Sequence, residues 1–314
     1  MSVKLGVVMD ALKSIKPKKD STLAMMAVAR RKGWQVFTME QSDMFVTNGV
    51  AHARVKQIEI DEKSEHWYKI IEEKSLPLRE MDAILMRKDP PFDMEYVYTT
   101  YFLELVEKTG TLVLNKPGSI RDCNEKLFAL QFPECCPANL VSRDESTLRA
   151  FHESHGDVIF KPLDGMGGTA IFRIKPKDPN LSVIIETLTN NGQQQIMAQQ
   201  FIPEIKEGDT RILLINGEPI PYGLARIPAK GETRGNLAAG GSGVARPLND
   251  RDRFICDQVG PVLKEKGLYF VGIDVIGDYL TEINVTCPTC IREIDAAYGL
   301  DIAGDYINFI ETLL

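Results

Sequence analysis

From residue 3 to residue 114, short apolar runs alternate with stretches of helical period, and this alternation restricts the fold more than any other feature of the chain. Residues 3–9 read as a buried strand, 21–32 as a helix stopped at Gly33, and 34–39 as a second strand. Asn48-Gly49, set between Met44-Phe45-Val46 and the run from Val55 to Ile60, predicts a hairpin. Met81 to Arg87 predicts a strand, 94–108 a helix stopped at Gly110, and Thr111 to Leu114 another strand. Strands that return in the same direction need a crossover helix, so this third of the chain predicts a parallel α/β sheet.

The pattern changes near residue 122. Asn124 to Phe132 and Asp144 to His155 predict short helices, and Val158-Ile159-Phe160 and Ala170-Ile171-Phe172 predict antiparallel strands around a glycine-rich loop. Ile196 to Phe201, Arg211 to Ile215 and Ile220 to Ile227 are further strands, the last two joined at Asn216-Gly217. Phe270 to Ile276 and Leu280 to Val285 form a pair turned at Gly277-Asp278, and an amphipathic helix closes the chain from about residue 300. A chain of 314 residues is too long for one small core.

Composition excludes some functions. Apolar residues are 44% and charged ones 26% of the chain, as in ordinary globular proteins, and no run reaches membrane-spanning length. The first residues read as a strand, with no signal-peptide pattern. The net charge is −7 and no basic run stands out, which argues against a nucleic-acid surface. The six cysteines are expected to be reduced. Cys287 and Cys290 have CxxC spacing, but no second pair with that spacing exists, so two thiols in a turn is the preferred reading over a zinc site. His152 and His155 fit a solvated helix face.

Four stretches carry chemistry. Lys161 is followed by Gly165, Gly167 and Gly168, and glycines let backbone N–H groups approach phosphate oxygens. The loop lacks the Gly-Lys-Ser/Thr ending of a Walker A motif, and by itself it fits a plain hairpin as well as a phosphate cradle. Lys126, from a separate element, would complete a two-lysine clamp. Second, the strand end at Gln200-Phe201-Ile202 and Glu204 offers backbone groups and apolar side chains to a nucleobase. Third, Asp274, Glu282 and Asn284 fall on one face of the hairpin turned at Gly277-Asp278. Acids inside an otherwise apolar sheet need a compensating cation, and these three oxygen donors suit Mg²⁺ held together with ATP phosphates. Fourth, Arg211 and Arg226 lie on neighbouring strands, and Arg234 and Asn236 lie in a long glycine-rich segment, 228–243, which reads as a flexible lid.

In this order, with Gly208-Asp209-Thr210-Arg211 between the second and third stretches, the residues resemble the ATP-grasp superfamily. More narrowly, Met86 to Asp93, Asn115-Lys116-Pro117, Arg121 to Lys126, Lys161 to Gly168, Ile227 to Gly243 and Thr281 to Ile294 resemble prokaryotic glutathione synthetases nearly end to end. The resemblance implies an ATP-grasp fold of α/β class with α+β subdomains, preceded by a parallel α/β domain at 1–122. The ATP-grasp domain would span 123–314, with a small lid-like subdomain at 123–202 and a catalytic subdomain at 203–314. It implies a cytoplasmic ligase that joins γ-glutamylcysteine to glycine through an acyl phosphate, with ATP as co-substrate and Mg²⁺ or Mn²⁺ as metal. It also implies a homo-oligomer, dimer or tetramer, without nucleic acid or membrane partners. Lys126 and Lys161 would hold phosphates, Asp209 or Glu204 the ribose, and Arg211, Arg226, Arg234 and Asn236 the reacting centre. Arg87, Arg292, Thr286 and Thr289 are candidates for the substrates. Many ATP-grasp hinges carry Glu where this chain has Gln199 or Gln200. Another ATP-grasp carboxylate–amine ligase, such as one joining D-alanine or extending a peptide tail, is the nearest alternative. A kinase and a non-catalytic nucleotide-binding protein are more distant ones.

Overall fold

A computed structural model describes residues 2–165, 167–229, 231, 235 and 240–314. The chain opens with β1 (Lys4–Val8), α1 (Ser21–Arg31), β2 (Gln35–Met39), β3 (Met44–Thr47), β4 (Val50–Ile60), β5 (Tyr68–Pro77), β6 (Ala83–Met86), α2 (Met94–Glu107), β7 (Leu112–Leu114) and α3 (Pro117–Asp122). Asp20 and Asp93 cap α1 and α2, accepting from the N–H of Leu23 and of Tyr96. The expected sheet is present, but it is mixed. β1 pairs parallel with β2 and β6, and β6 with β7, whereas β4 runs antiparallel to β2, β3 and β5. The Asn48-Gly49 turn reverses the chain at positive φ, and β4 then continues past β3 to pair with β2. A hairpin therefore replaces one crossover helix.

The second sheet is built from β8 (Asn139–Ser142), α4 (Glu145–His155), β9 (Val158–Pro162), β10 (Phe172–Ile174), α5 (Leu181–Leu188) and β11 (Ile196–Gln200), in strand order β10-β9-β11-β8. The helix expected over 124–132 is instead a turn followed by one 3-10 turn at Phe128–Gln131. Asn124 Oδ1 accepts from the N–H of both Lys126 and Leu127, and this side-chain competition leaves no continuous helix. Leu148, Phe160, Ile185 and Ile196 form this layer's own core.

The third sheet contains β12 (Asp209–Ile215), β13 (Glu218–Ile227), β14 (Ser242–Pro247), then after α6 (Asp250–Glu265) β15 (Phe270–Ile276) and β16 (Tyr279–Asn284). Its order is β14-β13-β12-β15-β16, every pair antiparallel. α6 covers one face through Ile255, Val259 and Leu263 against Ile212, Leu214 and Ile273. α7 (Ile291–Tyr298) and α8 (Ile302–Leu313) lie beside α1, and Ile291, Ile294, Tyr306 and Ile310 share a core with Leu23 and Met26. The C-terminal helices thus fasten the third sheet to the first. Among the described residues no helix is long and apolar enough to cross a membrane.

Candidate functional site

Strand register puts the polar residues of the third sheet on one face. β12 pairs with β13 so that Asp209 faces Arg226, and with β15 so that Arg211 faces Asp274. β15 pairs with β16 so that Asp274 faces Glu282 and Gly272 faces Asn284. A bulge leaves Thr281 between the paired positions, where its hydroxyl donates to the Asp274 carbonyl at 3.1 Å. Because side chains alternate along a strand, these residues share the face opposite α6. Arg211 meets both Asp274 carboxylate oxygens, at 2.6 and 3.0 Å. Arg226 reaches Asp209 at 2.6 Å and Asp274 at 3.0 Å, and the Asn284 amide donates to Asp274 at 3.1 Å. Gly272 makes this possible: a Cβ there would stand 2.8 Å from both Arg211 Cδ and Pro288 Cβ.

The second sheet forms the facing wall. In the β9–β11 register Lys161 pairs with Met197 and Ile159 with Gln199. Lys161 Nζ lies 3.8 Å from Glu282 and Lys126 Nζ lies 3.5 Å from the same carboxylate. Lys126 also meets the Glu125 carboxylate and donates to the Gly165 carbonyl at 2.9 Å, which ties the glycine loop to the clamp. Between the walls is a cleft of about 370 Å³ lined by Gly165, Gly167, Gly168, Gln200, Phe201, Ile202 and Asp209 together with the acids and arginines. That volume is of ligand size. Ile159, Ile171, Ile202 and Ile205 give its far end an apolar lining. The face of Phe201 stacks against Arg173, 3.5 Å from the ring centroid, and Arg173 is itself fixed by Asp157.

Four cations, Lys126, Lys161, Arg211 and Arg226, interleave with four acids, Glu125, Asp209, Asp274 and Glu282. Burial alone would raise Asp274, but Arg211 and Arg226 hold it far below the usual carboxylate range. Burial raises Glu125 to about 7, helped by the charge of Glu282, and raises Asp209 to about 7 despite Arg226. Burial lowers Lys161, whereas at Lys126 the carboxylates of Glu282 and Glu125 outweigh burial and raise it. The raised acids carry a stability consequence. Their contribution is complete below the ordinary values of 4.5 and 3.8 and is lost as pH rises through about 7. Asp274 works the other way, and its contribution is lost only in strong acid. Urea midpoints of the ligand-free protein are therefore expected to fall between about pH 5 and about pH 8, and Glu125→Gln to flatten that slope. An unchanged slope in the variant would assign the titration elsewhere.

The donor set fits a hard divalent cation. Glu282 and Asn284 present oxygens at the cleft beside Asp274, with no sulfur or imidazole among them. Among the described residues these three donors supply too few oxygens for six-coordination, which suits a metal that shares phosphate oxygens and water. Asp274 is less available than the spacing suggested, since both its oxygens already serve arginines.

Some expected site residues lie elsewhere. Glu204 is exposed beside Gly277, outside the cleft lining, whereas the half-buried Asp209 lines the cleft and has a buried Oδ1 without a partner among the described residues. Arg292 does not line the cleft: it bonds the Asp20 carbonyl and pairs with Glu62 at 2.7 Å. Arg87 is buried beneath the 286–290 loop, donating to Thr22 Oγ1 at 3.1 Å and to the Pro288 carbonyl at 2.8 Å. Its own carbonyl accepts from the Cys287 thiol at 3.2 Å. It supports the loop, while Thr286 and Thr289 line the cleft as expected. Lys126 is almost wholly buried and does not itself line the cleft; it meets Glu125 and Glu282, which do. Arg234 and Asn236 lie outside the described residues, as does Lys230. Within the same segment Gly235 does line the cleft, and a Cβ there would stand 2.8 Å from the Asp209 Cβ. Sequence reasoning missed Glu125, Gly272 and Gly235 as site residues. A pair of adjacent ionisable residues, Glu125-Lys126, was the available signal for the first.

Residues 3–121 match the family model of the prokaryotic glutathione synthetase N-terminal domain, and 125–307 that of the prokaryotic glutathione synthetase ATP-grasp domain. A glutathione synthetase of Pseudomonas putida is 61% identical over 314 residues, covering 100% of this chain and 99% of that one. One from Vibrio vulnificus is 59% identical, with coverage of 100% and 99%. Among solved structures, the D-cycloserine synthetase DcsG has a TM-score of 0.67 at 13% identity, covering 97% of each chain. The ATP-grasp ligase PsnB with its minimal precursor has a TM-score of 0.64 at 16% identity, covering 100% of each. At such identities these two speak for the ATP-grasp fold alone.

Proposed function

The chain belongs to the prokaryotic glutathione synthetases, and from that membership we propose how its residues divide the work of the reaction. The enzyme is an ATP-dependent ligase that forms the C–N bond of glutathione. A carboxylate resists attack because it is anionic and resonance-stabilised. In our reading the terminal phosphoryl of ATP passes to the glycine-facing carboxylate of γ-glutamylcysteine, giving ADP and an acyl phosphate. The glycine amine then attacks the acyl carbon, the bond to phosphate breaks, and the amine proton leaves to solvent. No covalent enzyme intermediate is needed, so the protein contributes position and charge.

The single observation that carries this assignment is the convergence of Lys126, Lys161, Arg211 and Arg226 on Glu282, Asp274 and Asn284 across one cleft. The lysines and the 165–168 loop would hold the nucleotide phosphates. Arg211 and Arg226, fixed by Asp274, would face the transferring phosphoryl and the tetrahedral intermediate. Asp209, with its unpaired oxygen, is favoured over Glu204 for the ribose, and Gln200 to Ile202 for the base. Thr286 and Thr289 would line the acceptor side. The family's ATP use carries a divalent metal with it, and Mg²⁺ or Mn²⁺ would be held by Glu282 and Asn284 with help from Asp274. That ion would neutralise phosphate charge. We propose that Arg234 and Asn236, which lie outside the described residues, serve in a water-excluding cover, on the strength of the segment's glycine-rich composition and of Gly235 in the cleft wall; Ser242 and Gly243, at the end of the expected lid, belong instead to β14.

We further propose domains at 1–122 and 123–314, the latter divided at 202/203. The family models, which end at 121 and begin at 125, support the first boundary. We also read the enzyme as cytoplasmic and as a homo-oligomer of two or four chains. Phosphate release with ATP and Mg²⁺ is expected to require both γ-glutamylcysteine and glycine, with glutathione identified by mass spectrometry. Faster turnover with D-alanine or another acceptor would overturn the substrate assignment.

A further inference from the structure

Among the described residues five carboxylates line the cleft, and four of them are paired: Glu125 and Glu282 with lysines, Asp209 and Asp274 with arginines. The fifth is Asp89, in the loop between β6 and α2, and its exposed carboxylate has no ion pair among the described residues. Its backbone is well held. The Asp89 N–H donates to the Asp10 carboxylate at 3.0 Å, and its carbonyl accepts from Lys88 Nζ at 2.6 Å. Lys88 pairs with Asp10 at 2.9 Å, and the Tyr96 hydroxyl donates to the Lys88 carbonyl at 3.3 Å. Asp10 and Asp89 follow the carboxyl ends of β1 and β6, which are neighbours in the parallel part of the first sheet. Crevices at the carboxyl ends of parallel strands are where open α/β sheets bind ligands. Lys88 and Asp10 compensate each other, and Asp89 is left open.

The group that Asp89 does meet is the Cys287 thiol. Burial pushes this thiol well above the usual range; Arg87 opposes the shift, and Asp89 adds to it by charge and by hydrogen bonding. A neutral thiol cancels no charge. Cys287 also fixes where Asp89 stands relative to the reacting centre. Its neighbour Pro288 packs with Arg211 over Gly272, where a Cβ would stand 2.8 Å from a side-chain carbon of each. Asp89 is therefore one loop residue beyond the arginines that would face the reacting carboxylate.

We propose that Asp89 binds the α-ammonium of the γ-glutamyl end of the substrate and so selects γ-glutamyl compounds over other acyl-cysteines. The inference rests on the cleft assignment above and names a specificity-determining residue of that same site. The substrate has the right reach. Its α-ammonium is seven bonds from the carbon that becomes the acyl phosphate, about 8 Å in an extended chain. One loop residue and two side chains span a gap of the same order. The ammonium is the one cation that γ-glutamylcysteine carries, and an unpaired carboxylate on a held backbone is its natural partner. The glycine amine is the rival partner. It must reach the acyl carbon unprotonated, whereas a carboxylate favours the protonated form, and Asp89 stands beyond the arginines rather than beside them. A site that holds a polar group of the substrate rejects the analogue without it, because its own group is then left unpaired.

The test compares γ-glutamylcysteine with N-glutarylcysteine, the same molecule without the α-amino group, in phosphate release with ATP, Mg²⁺ and glycine. The natural chain should show a KM for N-glutarylcysteine at least about tenfold above that for γ-glutamylcysteine. Asp89→Asn should raise the KM for γ-glutamylcysteine by about the same factor and leave that for N-glutarylcysteine nearly unchanged, so the preference collapses. The KM values for ATP and glycine should stay as they are, and kcat should change by less than about threefold. A merely structural role for Asp89 would weaken both acyl substrates equally, and that result would overturn the inference. So would a shift confined to the glycine KM. Independently of how Asp89→Asn folds, a natural chain that takes both acyl substrates equally well would overturn it too. A natural chain that formed no glutathione at all would overturn the cleft assignment on which the inference rests.

Discussion

Asp274→Ala should lower both stability and turnover by large amounts, because one carboxylate serves both. Asp274 is 2% exposed and binds Arg211 with both oxygens, while also meeting Arg226 and Asn284. Removing it leaves two buried guanidiniums short of their anion. Breaking a buried pair from one side costs about 3–5 kcal/mol, far more than the pair itself contributes. Asp209 remains next to Arg226, but no second acid meets Arg211 among the described residues. The urea midpoint should therefore fall steeply. Phosphate release should fall by about 10³-fold or more, since both arginines lose the geometry proposed for the transition state. Asp274→Asn keeps the shape and should recover part of the stability but little of the activity. If Asp274→Ala unfolds at the natural midpoint, the arginines are held by something other than this carboxylate.

How much of this was legible depends on the range of each interaction. The Asp274, Glu282 and Asn284 set is readable because strand alternation is local, and Gly277-Asp278 fixes the turn between them. Arg211 and Arg226 are readable as neighbours because Asn216-Gly217 joins their strands. Arg87 and Arg292 are not. Their partners Pro288 and Glu62 lie 201 and 230 residues away, and nothing in the local pattern tells a buried support from a substrate ligand. β5 escaped notice because it is an edge strand, exposed on both faces over most of its length, and shows no alternation. α6 escaped because Gly260-Pro261 inside it reads as a chain break, although tertiary packing of Ile255, Val259 and Leu263 carries the helix through. Glu125 was passed over for a different reason. Lys126 beside it accounts for the motif's attraction to phosphate, and only the fold shows that the half-buried Glu125 pairs with the buried Lys126 at the cleft.

Glu282→Gln should separate catalysis from stability, the reverse of what Asp274→Ala does. The Glu282 side chain is 22% exposed, at the mouth of the cleft, and its contacts to Lys126 and Lys161 are 3.5 and 3.8 Å long. The contacts are long, Glu282 itself is partly exposed and Lys126 keeps Glu125, so their loss should cost far less than removal of Asp274, on the order of 1 kcal/mol. The amide keeps the volume and hydrogen-bonding capacity but removes the charge. Of the three proposed metal donors Glu282 is the one anion not already committed to a guanidinium, so the charge of the donor set depends on it. Turnover should drop by about 10³-fold, with the urea midpoint nearly unchanged. Mn²⁺ binding in the presence of ADP, followed by its electron paramagnetic resonance signal, should weaken by at least about tenfold, a readout independent of the reaction. The lysines give a further check. If Glu282 also positions Lys161, then adding Lys161→Met to Glu282→Gln should cost less than the two single losses combined. Natural metal affinity in Glu282→Gln would remove this carboxylate from the metal site. Strictly additive losses with Lys161→Met would leave the two as independent neighbours across the cleft.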